Sequence, residues 1–352
     1  MGFLKPNLIK MKYFSGLYIC AVVLLSLTAC NRYAHKTNYT FVVAGDDRLA
    51  AEDTVGNPST TNQYHLKRLF AEVAQLKPLP EYLFFNGDLV MGYTDNDTVR
   101  LARELREWIK IYKESPLANT SVKLVTIAGN HEIVEKLGSG KISFATNERT
   151  FVREMHDYIR GDNGPKATGL FPGTDSLMSD QSHLTYSFDF GGDHFVVFNT
   201  DPVDRENRLP WHWLENDLRA AREDGARHIF LFGHKPPFPV HFESESGLEL
   251  CPANRDSLWS VIERYNCDAY FGSHYHLWDT LQIHKGKTWE IVCGNAGAPV
   301  DKDWLPSYYG YTLVNVYDKV DVTSMGHDVD KDHYMEPTPD KQTVVRAKFT
   351  LK

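Results

Sequence analysis

The sequence is poor in cysteine and contains no Cys-x-x-Cys pair. Its 352 residues hold five cysteines. Cys20 and Cys30 lie near the N-terminus, and Cys251, Cys267 and Cys293 lie in the C-terminal half. Three cannot all pair with one another, so a disulfide scaffold and a cysteine-ligated zinc site are excluded. Positive charge is also short. The formal net charge of −8 argues against non-specific nucleic-acid binding, which needs a basic footprint. No period of 20–50 residues recurs and no low-complexity tract intervenes, which leaves out repeat architectures. The apolar stretch LYICAVVLLSLTA near the N-terminus is too short for a comfortable membrane span. What remains is ordinary globular material, 42% hydrophobic and 24% charged, enough for a sizeable core in one large domain or two smaller ones.

That apolar stretch follows Lys5, Lys10 and Lys12 and ends at Leu27-Thr28-Ala29-Cys30. Basic, then apolar, then small residues is the order of a secretory signal. LTAC resembles the bacterial lipobox, in which the cysteine is lipidated and becomes the mature N-terminus. The expectation is a signal peptide over 1–29 and a polar tether over 30–38. The body would be anchored to a membrane through Cys30. Asn31, where Asp would retain a lipoprotein at the inner membrane, favours the periplasmic side of the outer membrane of a Gram-negative bacterium. The other reading is an uncleaved anchor with an incidental cysteine. Met11 would open a more typical signal than Met1. Removing residues 1–29 takes away three lysines and no acid, which deepens the net charge from −8 to −11.

Beyond residue 38, apolar runs alternate with amphipathic helices. Leu66, Leu69, Phe70, Val73 and Leu76 fall at helical spacing, as do Leu101, Leu105, Trp108, Ile109 and Tyr112. Further helices are expected from near Pro210, with Leu214 and Leu218 on one face, and over roughly 254–266. Between 135 and 182 the pattern loosens into loops around one helix, and loops of such length are often functional. From about 308 the chain turns to strands expected to complete a sheet. The expectation is an α/β layered fold with a single domain over 39–352.

Five apolar runs end alike: VVAGD (42–46), LFFNGD (83–88), LVTIAGNH (124–131), IFLFGH (229–234) and AYFGSH (269–274). Each is strand-like, then has a glycine at or near its end, then a residue able to bind metal. A strand-terminal Asp commonly caps the next helix, so one such ending means little. Five deliver Asp46, Asp88, Asn130, His131, His234 and His274 to the carboxyl ends of strands, where open α/β sheets bind ligands. His276 lies two residues after His274, on the same side of an extended segment. Two carboxylates, an amide oxygen and three imidazoles suit a borderline divalent ion such as Zn, Mn or Fe.

The ordered set GDDR, GDLV, GNHE, GHKPP and GSHYH resembles the calcineurin-like metallophosphoesterases, bacterial members included. The resemblance spans residues 39 to about 300. It implies a four-layer sandwich of two mixed β-sheets flanked by helices. It also implies two divalent ions bridged by Asp88, one taking Asp46 and His276, the other Asn130, His234 and His274. His131 would contact the substrate and protonate the leaving oxygen. Such a centre can neutralise a phosphoryl group and turn water into hydroxide near neutral pH, with an imidazole as general acid. The activity implied is hydrolysis of a phosphate mono- or diester, on a phosphorylated small molecule or envelope component.

The sequence departs from that family in three places. Most members have Asp-x-His in the first motif, where this chain has Asp46-Asp47-Arg48. A guanidinium offers only donors and cannot ligate a metal. Arg48 is therefore expected either to grip a substrate phosphate or to pair with Asp47 or another loop carboxylate. GDLVMGY lacks the GDxVDRG pattern of protein Ser/Thr phosphatases, which argues against phosphoprotein substrates. Met91 stands where purple acid phosphatases place a tyrosine, with Tyr93 two residues later, so no purple iron chromophore is expected. The rival readings are a catalytically inactive binding or scaffold lipoprotein, which the lost histidine favours, and a nuclease, which the acidic body disfavours.

Other signals fade on inspection. HEIVE (131–135) has Glu135 where a zinc protease needs its second His. DVDKD (328–332) has His333 and Pro339 at the glycine and acidic positions of a calcium loop. Trp211 and Trp213 are either a ring-binding pair or packing at a helix start. His183, His194 and His212 have no partner pattern. Phe238 and His241 are candidates to line the site on the resemblance alone.

Overall fold

A computed structural model describes residues 1–2, 38–50, 63–138, 140–240, 246–283, 286–300, 308–330, 333 and 336–351. Cys30 and His241 lie outside the described residues. No helix among the described residues is long and apolar enough to cross a membrane.

The chain builds two six-stranded sheets. The first contains β1 (Tyr39–Ala44), β2 (Tyr82–Asn86) and β3 (Lys123–Ile127), followed much later by β12 (Tyr308–Val316), β13 (Val320–Asp328) and β14 (Val344–Leu351), in the order β14-β13-β12-β1-β2-β3. A two-stranded hairpin, β4 (Val134–Leu137) and β5 (Gly140–Ser143), follows β3. The second sheet contains β6 (Tyr186–Phe190), β7 (Asp193–Phe198), β8 (Ile229–Gly233), β9 (Ala269–Gly272), β10 (Trp278–Gln282) and β11 (Trp289–Cys293), in the order β10-β11-β9-β8-β7-β6. Both sheets are mixed: β1, β2 and β3 run parallel while β12 is antiparallel to β1. Likewise β7, β8, β9 and β11 are parallel, with antiparallel edges at β6 and β10.

Period-two alternation sorts the side chains into three cores. Phe41, Val43, Phe84, Phe195, Phe230, Phe232 and Phe271 point between the sheets, and Phe84 stacks on Phe232 with centroids 4.0 Å apart. Val42, Ala44, Leu83 and Phe85 point the other way, against helices 63–73 and 98–114. Ile229 and Leu231 meet helices 211–223 and 252–264 across the second sheet. The result is helix, sheet, sheet, helix. Each fully buried ring contributes about 1.5–3 kcal/mol. Asp97 sharpens the start of helix 98–114 by accepting from Val99 N and Arg100 N at 3.0 and 3.1 Å, a cap worth about 1 kcal/mol.

The segment read as loop around Gly138 is in fact the hairpin β4–β5, whose outward residues carry no apolar alternation to announce it. Trp211 and Trp213 pack on the outer core of the second sheet. Asp175 accepts from the backbone of His212 and Trp213 at 2.9 and 3.0 Å. His194 sits between Asp189 and Asp217 at 2.7 and 2.9 Å. Burial opposes its charge, yet the two carboxylates lift its pKa to about 9.

Candidate metal centre

The parallel strands β1, β2, β3, β8 and β9 all deliver their carboxyl ends to one place. Backbone bonds lace the turns that follow: Asp46 N to Gly87 O at 3.1 Å, Arg48 N to Asp88 O at 2.9 Å, and Ser273 N to His234 O at 2.8 Å. Asn86 ties the two sheets together, its amide donating to Gly233 O and Phe271 O at 3.1 and 2.9 Å. Glycine is required where these turns meet. A Cβ on Gly87 would come within 2.5 Å of the His234 ring, and one on Gly129 would overlap Asp88. Asp46, Arg48, Asp88, Tyr93 and His274 all have positive φ, between 49° and 69°. Such costly backbone conformations gather at functional sites.

Four donors converge on one point. Asp88 Oδ1, Asn130 Oδ1 and His274 Nδ1 each lie 3.1 Å from His234 Nε2. Asp88, His234 and His274 form a cluster whose ligating atoms all lie within 4.8 Å of one another. Nitrogen and oxygen ligands at about 2.0–2.2 Å from one ion stand roughly this far from each other. The outer nitrogen of each histidine is already committed: His234 Nδ1 to Asn86 O at 3.0 Å, His274 Nε2 to Ser246 Oγ at 3.0 Å, and His276 Nδ1 to Pro299 O at 2.6 Å. The bonds to carbonyl oxygens fix the tautomers of His234 and His276 and aim their other nitrogens inward, as supporting groups of metal ligands do.

Beside this cluster lies a second half-site. Asp46 Oδ2 accepts from Ser273 Oγ and from His274 N. Asp46 Oδ1 is buried with no hydrogen-bond partner among the described residues, and His276 Nε2 stands 3.7 Å from it. Arg48 Nη1 reaches to 3.3 Å from the same His276 nitrogen.

The electrostatics fit a bound cation. Burial drives His274 well below its ordinary pKa, and burial together with Arg48 brings His276 to about 4. Both are thus neutral, the form that ligates metal. Burial would neutralise Asp88 too, but His131, His234 and Arg48 outweigh it and hold the carboxyl well below its usual range. Burial opposes a charge on His234, yet Asp88 and Asp46 push it up to about 9. Metal binding there would displace that proton.

Asp46, Arg48, Asp88, Asn130, His131, His234, His274 and His276 meet here, whereas Cys30 and His241 lie outside the described residues and Phe238 packs in the outer core of the second sheet. The structure adds others. Glu132 braces three turns, with Oε2 accepting from Gly129 N and Asp88 N at 2.7 and 3.1 Å and Oε1 from Val90 N at 3.0 Å. Tyr93 Oη accepts from Asn130 Nδ2 at 2.6 Å, and its ring lies 4.2 Å from that of His131. Glu135, the failed zinc-protease position, accepts from Asn147 Nδ2 at 2.8 Å and Asp95 N at 3.0 Å. Phe238 packs edge-on against Trp259 at 5.1 Å.

Fold and donor set together define a protein of the metallophosphoesterase architecture. The family model for calcineurin-like phosphoesterases matches residues 53–278, and the chain belongs to that family. The match begins downstream of Asp46 and Arg48. Purple acid phosphatase 21 of Arabidopsis thaliana is 28% identical over 166 residues, 47% of this chain and 32% of that protein. The serine/threonine-protein phosphatase CPPED1 of Bos taurus is 23% identical over 216 residues, 58% of this chain and 56% of that protein. The chain thus spans less than two thirds of either relative. Purple acid phosphatase PPD1 from yellow lupin shares the fold with a TM-score of 0.61 and 16% identity, over 91% of this chain and 54% of that one.

Proposed function

We propose that the protein is a metal-dependent phosphohydrolase that cleaves a phosphate mono- or diester. The convergence of Asp88, Asn130 and His274 on His234 Nε2, each at 3.1 Å, carries this reading. The residues support two unequal cation sites for Mn, Fe or Zn: a tight one at Asp88, Asn130, His234 and His274, and a weaker one at Asp46, Asp88 and His276. Divalent ions held there supply Lewis-acid stabilisation of the phosphoryl charge and a low pKa for water. The chain's own residues do the rest. Arg48 offers paired N–H donors to a phosphate oxygen, and His131 presents its ring to the leaving-group oxygen. The test is a screen of purified, metal-loaded protein against nucleotide, sugar and lipid-headgroup esters. Metal-dependent turnover abolished by a chelator is expected. Tightly bound metal without turnover of any ester would instead support an inactive scaffold, the reading that Arg48 favours.

Arg48 separates the two cation sites. Arg48→Ala should lower kcat/KM about tenfold, the worth of one charge-assisted contact, while metal content holds. Arg48→His should tighten the weaker ion. Wild-type kinetics in the first variant would remove the phosphate contact, and unchanged metal titration in the second would remove the incomplete-ligand account.

The substrate reading extends to place. We assign Cys30 as a lipidation site that holds the protein on the periplasmic face of a membrane, in reach of phosphorylated small molecules or envelope components. The support is the LTAC sequence. Cys30→Ser should release the protein from membrane fractions or block its processing. Unchanged fractionation and mass would remove the assignment.

A further inference from the structure

The hairpin β4–β5 pairs Lys136 directly with Lys141. Directly opposed residues of an antiparallel pair share a face, and like charges there are destabilising. Among the described residues neither lysine has an ion-pair partner; Lys136 instead lies over an aromatic ring. Its Nζ sits 4.1 Å from the centroid of Tyr93. That ring is the one bonded to Asn130 and tilted against His131, so the ammonium stands one ring away from the proposed leaving-group residue. Burial, Lys235 and Lys136 lower the pKa of Lys141, and Asp201 and Asp88 act on it in the opposite direction.

The hairpin is also a firm platform. Behind it, Glu135 is held by Asn147, Asp95 N and Thr94 at 2.8, 3.0 and 3.3 Å. At its end Ser143 N donates to Glu206 at 2.7 Å. A repulsive pair on a braced element, facing a site built for phosphate, has a physical use: an anion between the ammonium groups relieves the repulsion and gains charge-assisted bonds.

We propose that Lys136 and Lys141 form a second anion subsite that binds a further phosphate on the leaving-group side of the substrate. The preferred substrates are then compounds carrying a diphosphate group, in which water attacks one phosphorus, the phosphoanhydride bond breaks and the second phosphate leaves, and isolated monoesters are secondary. The side assignment rests on the phosphohydrolase reading; the subsite is testable without it. The probes are imidodiphosphate, which resists hydrolysis, and orthophosphate. They are titrated calorimetrically into the metal-loaded full chain at a fixed free Mn²⁺ concentration. The wild type should bind imidodiphosphate about tenfold or more tightly than orthophosphate, the worth of one charge-assisted contact. Lys136→Met and Lys141→Met should each erode that preference, and the double variant should abolish it. Lys141→Glu should reverse it, with circular dichroism reporting that each variant folds. A wild type without preference, or a preference that survives the double variant, overturns the subsite. Because this is binding, it decides even if no ester is turned over, in which case only the phosphohydrolase reading fails. Turnover of a nucleoside diphosphate in solution and of a lipid diphosphate in detergent micelles then separates the two carriers of the group.

Discussion

Asp88→Asn should weaken metal binding more than any other single ligand change, by at least about a hundredfold, since even supporting groups around a metal are worth about 10–100-fold. The reason is position. Asp88 Oδ1 is 3.1 Å from His234 Nε2 and accepts from His131 N at 3.0 Å. Oδ2 faces His131 Nε2 at 3.6 Å. The side chain is buried, and its negative charge is held by neighbouring imidazoles and Arg48 against the cost of burial. Asparagine keeps the shape and the bond from His131 N but removes the charge that would face both cation sites. Its loss should also lower the pKa of His234, because Asp88 is the largest of the charges that raise it. Metal analysis after dialysis is the measurement, with thermal melting to show that the variant folds. A variant that still holds two ions per chain tightly would refute the bridging role.

His131→Ala should keep its metal and lose about 10²–10⁴-fold in turnover, the range of a positioned general acid. The structure qualifies how such an acid would work. Burial brings the His131 pKa down to about 3 despite the pull of Asp88, so the ring is neutral near pH 7. Its Nδ1 donates to Met91 O at 2.5 Å, which leaves Nε2 as the atom facing Asp88. Nε2 must gain a proton before it can give one, and an arriving phosphate dianion is the charge that favours this. The expected signature is a larger loss on esters with poor leaving groups than on those with good ones. Equal losses would make His131 a positioning residue that hydrogen-bonds the phosphoryl group.

Much of the site was legible because its residues stand at the ends of buried strands. A short apolar run marks β1, β2 and β8, and a glycine marks where each backbone must turn beneath a neighbour. Gly87 and Gly129 stand against His234 and Asp88, so the glycines of the motifs are conditions of the geometry. The hairpin escaped because GSGKIS has neither an apolar run nor alternation. Tyr93 escaped because its role depends on a backbone with positive φ, at 49°, that swings the ring beside His131. Ser273 and Asn86 escaped because a hydroxyl and an amide at strand ends have many satisfactory uses.

The sequence by itself determined the layered α/β class, the helices and most of the strands, and the identities of the candidate metal donors. Those are set by local periodicity and by short motifs, which need no knowledge of partners. Only the tertiary structure decided which donors meet and in what order. Arg48 and His276 are 228 residues apart and His234 and Asn130 are 104 apart. Their meeting depends on β1, β2 and β3 lying side by side in one sheet while β8 and β9 face them from the other, stacked through the phenylalanines between. It also set Lys136 against Lys141, a like-charged pair that local propensity disfavours and that the braced hairpin holds in place.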